Sequence, residues 1–244
     1  MPEPLPSLRM PPIGFAHRGA RADAPENTIE AFTLARRLGA TGLESDVWLT
    51  ADGEAVLDHD GVVRSGVRRR PIGGVRRADL PSHIPTLAEL YDACGTDAEV
   101  SLDVKDADAA PRVVAVAREA GGDALGRLWL CSPDWEVAAS WRGLSDDVKL
   151  VDSTRLKRMK EGTERRAAAI THAGIDAVNL HWSDWSGGLV TLFHRFGRHA
   201  FGWDAQYRRQ LDALLVMGVD GVFSDHVERM VDALAGRPPA VEPT

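Results

Sequence analysis

Histidines, carboxylates and a lysine recur in this sequence where apolar runs end, in types and spacings suited to cleaving a phosphate ester. The run Ile13 to Ala16 closes on His17-Arg18-Gly19. Glu44 and Asp46 lie two apart in Gly42-Leu43-Glu44-Ser45-Asp46-Val47-Trp48, and Asp103 and Lys105 lie two apart in Val100-Ser101-Leu102-Asp103-Val104-Lys105. In a strand, residues two apart share a face, so each pair points one way. Three carboxylates and one lysine converging on one space leave negative charge, which is costly to bury uncompensated. A divalent cation would balance it, and oxygen-only donors select a hard ion, Mg²⁺ or Ca²⁺, over zinc or copper. Ion pairs with neighbouring arginines or lysines on a rim are the other way to satisfy the same acids. His17, and His59 within Asp58-His59-Asp60, each read alone as hydrogen-bonded structural residues. Beside one cation and one phosphate-binding arginine they form an acid and base pair for splitting a phosphate ester.

These residues need strands to carry them. Strand-like stretches begin near Ile13, Leu43, Glu99, Leu128, Val148, Ala177, Ala200 and Gly221. Helical patterns lie between them, near 28–38, 86–94, 110–120, 135–143, 164–173, 187–197 and 206–217, with an eighth near 226–235. Strands alternating with helices require right-handed crossovers and a parallel sheet, and eight units point to an α/β (β/α)8 TIM barrel whose chemistry sits at the C-terminal strand ends. The step from the second strand to the third is about twice the others. It predicts a small insertion of about 54–85 between the second strand and second helix, holding an extra strand or hairpin, Glu54 to Leu57, and the basic segment Arg64 to Arg77. One domain over 1–235 is expected, with 236–244, rich in proline, a disordered tail.

The chain has 244 residues, 44% hydrophobic and 27% charged, with net charge −7. That length suits one such barrel, and the acidity argues against a nucleic-acid partner. Cys94 and Cys131 have no zinc or disulfide spacing and read as buried small hydrophobes. The proline-rich stretch Met1 to Pro12 lacks the apolar run of a secretory signal, and no 18-residue apolar run occurs, so the reading is cytoplasmic with no integral membrane segment.

Taken in order, His17-Arg18-Gly19, Pro25-Glu26-Asn27-Thr28-Ile29-Glu30-Ala31-Phe32, Gly42 to Val47, Asp52 to Asp60, Pro85 to Leu90 and Gly218 to Asp225 resemble the glycerophosphodiester phosphodiesterase family. Residues from about 106 to 198 match only in their strand-helix rhythm. The resemblance implies a TIM barrel, His17 and His59 as general acid and base, Arg18 on the phosphoryl oxygens, and Glu44 and Asp46 on the metal. The family's third ligand is usually a glutamate two residues before a lysine; here it is Asp103, before Lys105. One methylene fewer changes the reach of that carboxylate, which bears on Mg²⁺ against Ca²⁺ more than on reaction class. Lys105 would join Arg18 in neutralising the phosphate. Trp203 matches a family tryptophan near the glycerol side of the pocket, barrel packing being its other reading, and Asp204 stands where a small hydroxylated residue is usual. The Asn27–Glu30 spacing predicts a helix capped by Asn27, leaving Glu26 to orient Arg18 or a metal ligand.

The implied substrate is a small-molecule glycerophosphodiester, cleaved to glycerol 3-phosphate and an alcohol such as choline or ethanolamine. Two rivals remain at this point. A lysophospholipase D or phosphatidylinositol-type phospholipase C would use Arg68, Arg69, Arg70, Arg76 and Arg77 to grip anionic headgroups, whereas an exposed basic run otherwise reads as a solvated loop. A non-catalytic barrel would bind without turnover. His181, at the end of the sixth strand, either contacts substrate or packs.

Overall fold

The computed structural model describes residues 4–65 and 68–236. The expected disordered tail lies, from residue 237 on, outside the described residues. Eight parallel strands close into a barrel: β1 (Ile13–His17), β2 (Gly42–Leu49), then, past three short strands, β6 (Glu99–Val104), β7 (Leu128–Ser132), β8 (Lys149–Thr154), β9 (Ala177–His181), β10 (His199–Trp203) and β11 (Gly221–Ser224). They pair in that order, and β1 pairs with both β11 and β2, which removes every edge from the ring. The intervening strands are β3 (Ala55–Leu57), β4 (Val62–Ser65) and β5 (Arg68–Pro71). β3 lies antiparallel on the end of β2, with Val47 opposite Leu57, and β4 and β5 form a separate hairpin.

The helices are α1 (Ile29–Arg37), α2 (Leu87–Cys94), α3 (Ala109–Ala120), α4 (Trp135–Ser140), α5 (Thr163–His172), α6 (Gly187–Arg195), α7 (Arg208–Val216) and α8 (Val227–Leu234). Their apolar faces and the outward-facing strand residues, among them Leu43, Leu102, Leu130, Leu150 and Val222, form the main core between barrel and helices. No helix among the described residues is long and apolar enough to cross a membrane.

Every second strand residue points inward. In the lower layers these are Ile13, Phe15, Trp129, Cys131, Val151, Ala177, Phe201 and Phe223, which fill the interior as a second core. The Phe15 ring stacks on Phe223 at 4.4 Å and meets Phe201 edge-on at 5.6 Å. Glycine makes room for it: a Cβ on Gly42 would come within 2.5 Å of the Phe15 ring. Continuing the same alternation upward, the next inward positions at the C-terminal ends are polar. A dry floor therefore lies under a charged mouth. Cys131 is a buried hydrophobe as expected, but Cys94, at the C-terminus of α2, is only partly buried against the main core because the helix turns it toward the surface.

Candidate active site

Strand register alone brings most of the charged residues together. His17 pairs with Glu44 across β1 and β2, and Asp46 with Asp103 across β2 and β6. One ligand oxygen from each of Glu44, Asp46 and Asp103 lies within 4.8 Å of the others. Glu44 and Asp46 are buried, at 6% and 2% exposure. Lys105, just past β6, reaches back to place Nζ 2.8 Å from Asp46 Oδ1 and 3.2 Å from Asp103 Oδ2. Burial pushes Glu44 up to about 7, with the charges of Asp46 and Asp103 adding to the rise and His17 opposing it. Asp103 is raised as well, again chiefly by burial and against the pull of Lys105. Burial of the Lys105 ammonium works to lower its pKa, yet Asp103 and Asp46 more than offset this and hold it charged.

The carboxylate group fits a hard divalent cation. Its donors are all oxygen, they converge, and Asp46 Oδ2 is buried with no hydrogen-bond partner. Without added positive charge the cluster resists full ionisation, which is what the raised Glu44 and Asp103 express.

Arg18 is built into the same corner by an unusual backbone. Its φ is +54°, in the left-handed region that side chains other than glycine rarely adopt, and its N–H donates to Glu44 Oε2 at 2.9 Å. The guanidinium Nη1 donates to both carboxylate oxygens of Glu26, at 3.0 and 3.2 Å, and Nε lies 3.5 Å from Asp46 Oδ2. Asn27 does not cap α1 as its spacing with Glu30 suggests; the cap is Thr28, whose hydroxyl accepts from Ala31 N. Asn27 instead turns inward at φ +55°, its N–H donating to the Arg18 carbonyl and its Oδ1 accepting from Ser45 Oγ. Asparagine tolerates that conformation, and a buried hydroxyl in need of an acceptor rewards it.

His59 arrives by the insertion. Antiparallel pairing of β3 with β2 carries the chain back over the barrel end, where Asp58 N–H donates to the Asp46 carbonyl and the Trp48 indole donates to the Asp58 carbonyl. Asp58 Oδ2 then accepts from Gly61 N–H, closing a tight turn around His59. Gly61 has φ +64° and lies flat on the Trp48 ring, where a Cβ would come within 2.4 Å. His59 itself is 42% exposed and pairs with Asp60 at 2.9 Å.

One cavity of about 420 Å³ is lined by His17, Arg18, Glu44, Asp46, His59, Asp103, Lys105 and Trp203 together. Glu26 and His181 do not line it, nor do Asn27, Arg69, Arg70, Arg76 and Arg77; Glu26 touches it through Arg18. His181 stands behind Trp203, edge-on to the indole at 4.7 Å, its two ring nitrogens 2.7 Å from Ser183 Oγ and 3.1 Å from Asp204 Oδ2. Arg70, Arg76 and Arg77 find local partners in the Gly74 carbonyl, Asp79 and Glu89. Arg69 is exposed, and the side chain of Arg68 lies outside the described residues.

Sequence reasoning passed over several lining residues on the far wall: Ser153, Arg155, Arg158, Asn179 and Phe223. Arg155 lies over the Trp203 ring at 5.6 Å and is paired with Asp184 at 2.7 Å. Asn179 is 5% exposed and its Oδ1 has no partner. Asp225, which packs against His17, was also passed over as a site residue. The strand-end rule that found His17 reaches Arg155 and Asp225 too, since each directly follows a barrel strand.

Known proteins resemble this chain in sequence and in fold. The profile of the glycerophosphoryl diester phosphodiesterase family matches residues 17–229. A Mycobacterium tuberculosis protein named as a probable glycerophosphodiester phosphodiesterase 2 is 30% identical over 92% of this chain and 91% of its own. Two solved structures superpose with a TM-score of 0.77 each: the glycerophosphodiester phosphodiesterase of Thermotoga maritima, 23% identical over 90% of this chain and 97% of that one, and a phosphodiesterase of Oleispira antarctica, in complex with the product sn-glycerol-3-phosphate, 22% identical over 92% and 97%. The chain is thus a phosphodiester hydrolase belonging to the glycerophosphoryl diester phosphodiesterase family.

Proposed function

We propose that the protein hydrolyses glycerophosphodiesters to glycerol 3-phosphate and an alcohol, with His17 and His59 as the proton-transfer pair and a divalent cation held by Glu44, Asp46 and Asp103. One observation carries this reading: two imidazoles, three clustered carboxylates, Arg18 and Lys105 open onto a single cavity at the catalytic end of the barrel. When bound, such an ion supplies Lewis-acid contact to a phosphoryl oxygen.

The chain's own groups do the rest. Lys105 and Arg18 present N–H donors to the non-bridging oxygens, where charge gathers in the transition state. Glu26 holds the Arg18 fork from behind. One imidazole removes the proton of the attacking hydroxyl, either water or the glycerol 2-hydroxyl, and the other protonates the departing alkoxide. Each positioned transfer is typically worth about 10² to 10⁴ in rate. Trp203 and Phe223 give the cavity an apolar wall against which the glycerol carbons pack. The catalytic unit is the single barrel domain 1–235, with its insertion at about 54–85 supplying His59.

A headgroup panel tests the proposal: glycerophosphocholine, glycerophosphoethanolamine and lysophosphatidylcholine, assayed for released product after chelation and with Mg²⁺ or Ca²⁺ restored. Release of glycerol 3-phosphate from the first two, lost in chelator and regained with either ion, is expected. Full activity in chelator would remove the cation from the reading, and preference for lysophosphatidylcholine would move the substrate to lipids.

A further inference from the structure

We propose that Asp225 is a positioning residue that fixes the tautomer of His17, holding a proton on Nδ1 so that Nε2 is the ring atom that exchanges a proton with the bound diester. This rests on the proposed role of His17 and deepens it.

The arrangement follows from strand register. Ala16 pairs with Ser224 across β1 and β11, so the next residues, His17 and Asp225, leave the barrel end side by side. His17 Nδ1 lies 2.6 Å from Asp225 Oδ1, and on the opposite side of the ring Nε2 faces the carboxylate cluster, 3.8 Å from Glu44 Oε2. Asp225 is itself held. Its N–H donates to Gln206 Oε1 at 2.9 Å, and its second oxygen lies 3.7 Å from Arg21 Nε. Gln206 is tied in turn by an amide N–H donated to Asp204 Oδ1 at 3.1 Å.

A neutral imidazole carries its proton on either nitrogen, and only the unprotonated one can act as base. An ionised carboxylate only accepts hydrogen bonds, so beside Nδ1 it stabilises the Nδ1–H form and leaves the Nε2 lone pair toward the cavity. The proton balance is then simple. Nε2 gains the proton of an attacking hydroxyl, or in the acid role loses one to the departing alkoxide, while the Nδ1 proton stays in place and Asp225 stays ionised. His59 lacks an equal partner. Its Nδ1 meets Asp60, but that side chain is 77% exposed and water competes for the contact, whereas the Asp225 side chain is 24% exposed.

The test compares Asp225→Asn, Asp225→Ala and Asp225→Glu with the unaltered protein, by kinetics on glycerophosphocholine and by ¹⁵N spectra of the His17 ring at a pH above its titration. The amide of asparagine can face Nδ1 with oxygen or nitrogen, and alanine offers nothing, so both release the tautomer. We expect kcat to fall about 10² to 10⁴-fold in Asp225→Asn and Asp225→Ala, KM to stay within about threefold, and Asp225→Glu to recover part of the loss. The spectrum should show Nδ1 protonated in the unaltered protein and a mixed or Nε2-protonated ring in the first two variants. Unchanged kcat in Asp225→Asn, which keeps the side chain's shape and therefore the fold, overturns the proposal. So does an Nε2-protonated ring in the unaltered protein. The spectrum reads the tautomer whether or not glycerophosphocholine is cleaved, which separates this failure from failure of the substrate assignment.

Discussion

The Arg18 main chain is bent into the left-handed region, at φ +54°, and from there its N–H donates to Glu44 Oε2 at 2.9 Å. One residue thus serves two ends: the backbone orients a carboxylate of the cluster while the guanidinium, free of that task, turns to Glu26 and the cavity. The two contributions separate by substitution. Arg18→Ala and Arg18→Gly both delete the guanidinium and keep the N–H, so both should lose about 10² to 10³ in kcat/KM, the usual cost of one transition-state donor. Their stabilities should differ. Glycine accepts positive φ without the Cβ clash, so Arg18→Gly should be more stable than Arg18→Ala by about 1 kcal/mol in denaturant unfolding. Equal midpoints would mean that the backbone is not strained there.

His59 separates chemistry from stability more cleanly. At 42% side-chain exposure, in a turn fixed by Asp58, Trp48 and Gly61, it carries little of the fold. His59→Ala should therefore lose about 10² to 10⁴ in kcat while unfolding within about 0.5 kcal/mol of the unaltered protein. Turnover at the unaltered rate would take His59 out of the mechanism.

The acidic cluster should announce a cation without any turnover. An ion that binds only the folded chain stabilises it by RT ln(1 + [L]/Kd), about 2.7 kcal/mol at a hundredfold excess over Kd. Mg²⁺ or Ca²⁺ should then raise the unfolding midpoint of the unaltered protein, and Asp46→Asn should abolish the rise. Asp46 is the informative choice because its Oδ2 is buried without a hydrogen-bond partner. An equal shift in Asp46→Asn would place the ion elsewhere.

What the sequence made legible was whatever depends on local period. Glu44 and Asp46 could be read onto one face because a strand repeats every two residues, and the apolar runs that ended in His17 or Asp103 became barrel strands with those residues at the mouth. The role of Asn27 was not legible: capping-box spacing suited it, but the need of the buried Ser45 hydroxyl for an acceptor, a tertiary demand, moved the cap to Thr28. Arg155 and Asp225 stand at strand ends that the same rule reaches, but what they do there depends on partners remote in sequence, Trp203 for one and His17 for the other, which come close only because β9 alone separates β8 from β10 and β11 pairs with β1.

The opposite end of the barrel gives a prediction in which activity should not move. Asp220, just before β11, is fully buried and accepts from Ser7 Oγ at 2.6 Å, the backbone N–H groups of Leu8 and Arg9 at 2.7 and 3.0 Å, and Ala200 N–H at 2.7 Å, with His194 Nε2 at 2.8 Å. Burial alone would raise its pKa, but these hydrogen bonds overcome burial and hold it well below the usual carboxylate range. A carboxyl depressed in the folded state stabilises the protein above its unfolded value, about 3.9, and that contribution drains away as pH falls from there toward the folded value. Asp220→Asn keeps the shape but turns acceptor sites into donors facing N–H groups. It should cost about 3 to 5 kcal/mol at pH 7, the range for removing one partner of a buried charged network, and the gap to the unaltered protein should narrow below about pH 4. Because the residue sits at the N-terminal face, kcat of the folded variant should be unchanged. Denaturant unfolding at pH 7 and pH 3 measures both, and a gap that stays constant across that interval would show that the Asp220 carboxylate is not held ionised by its partners.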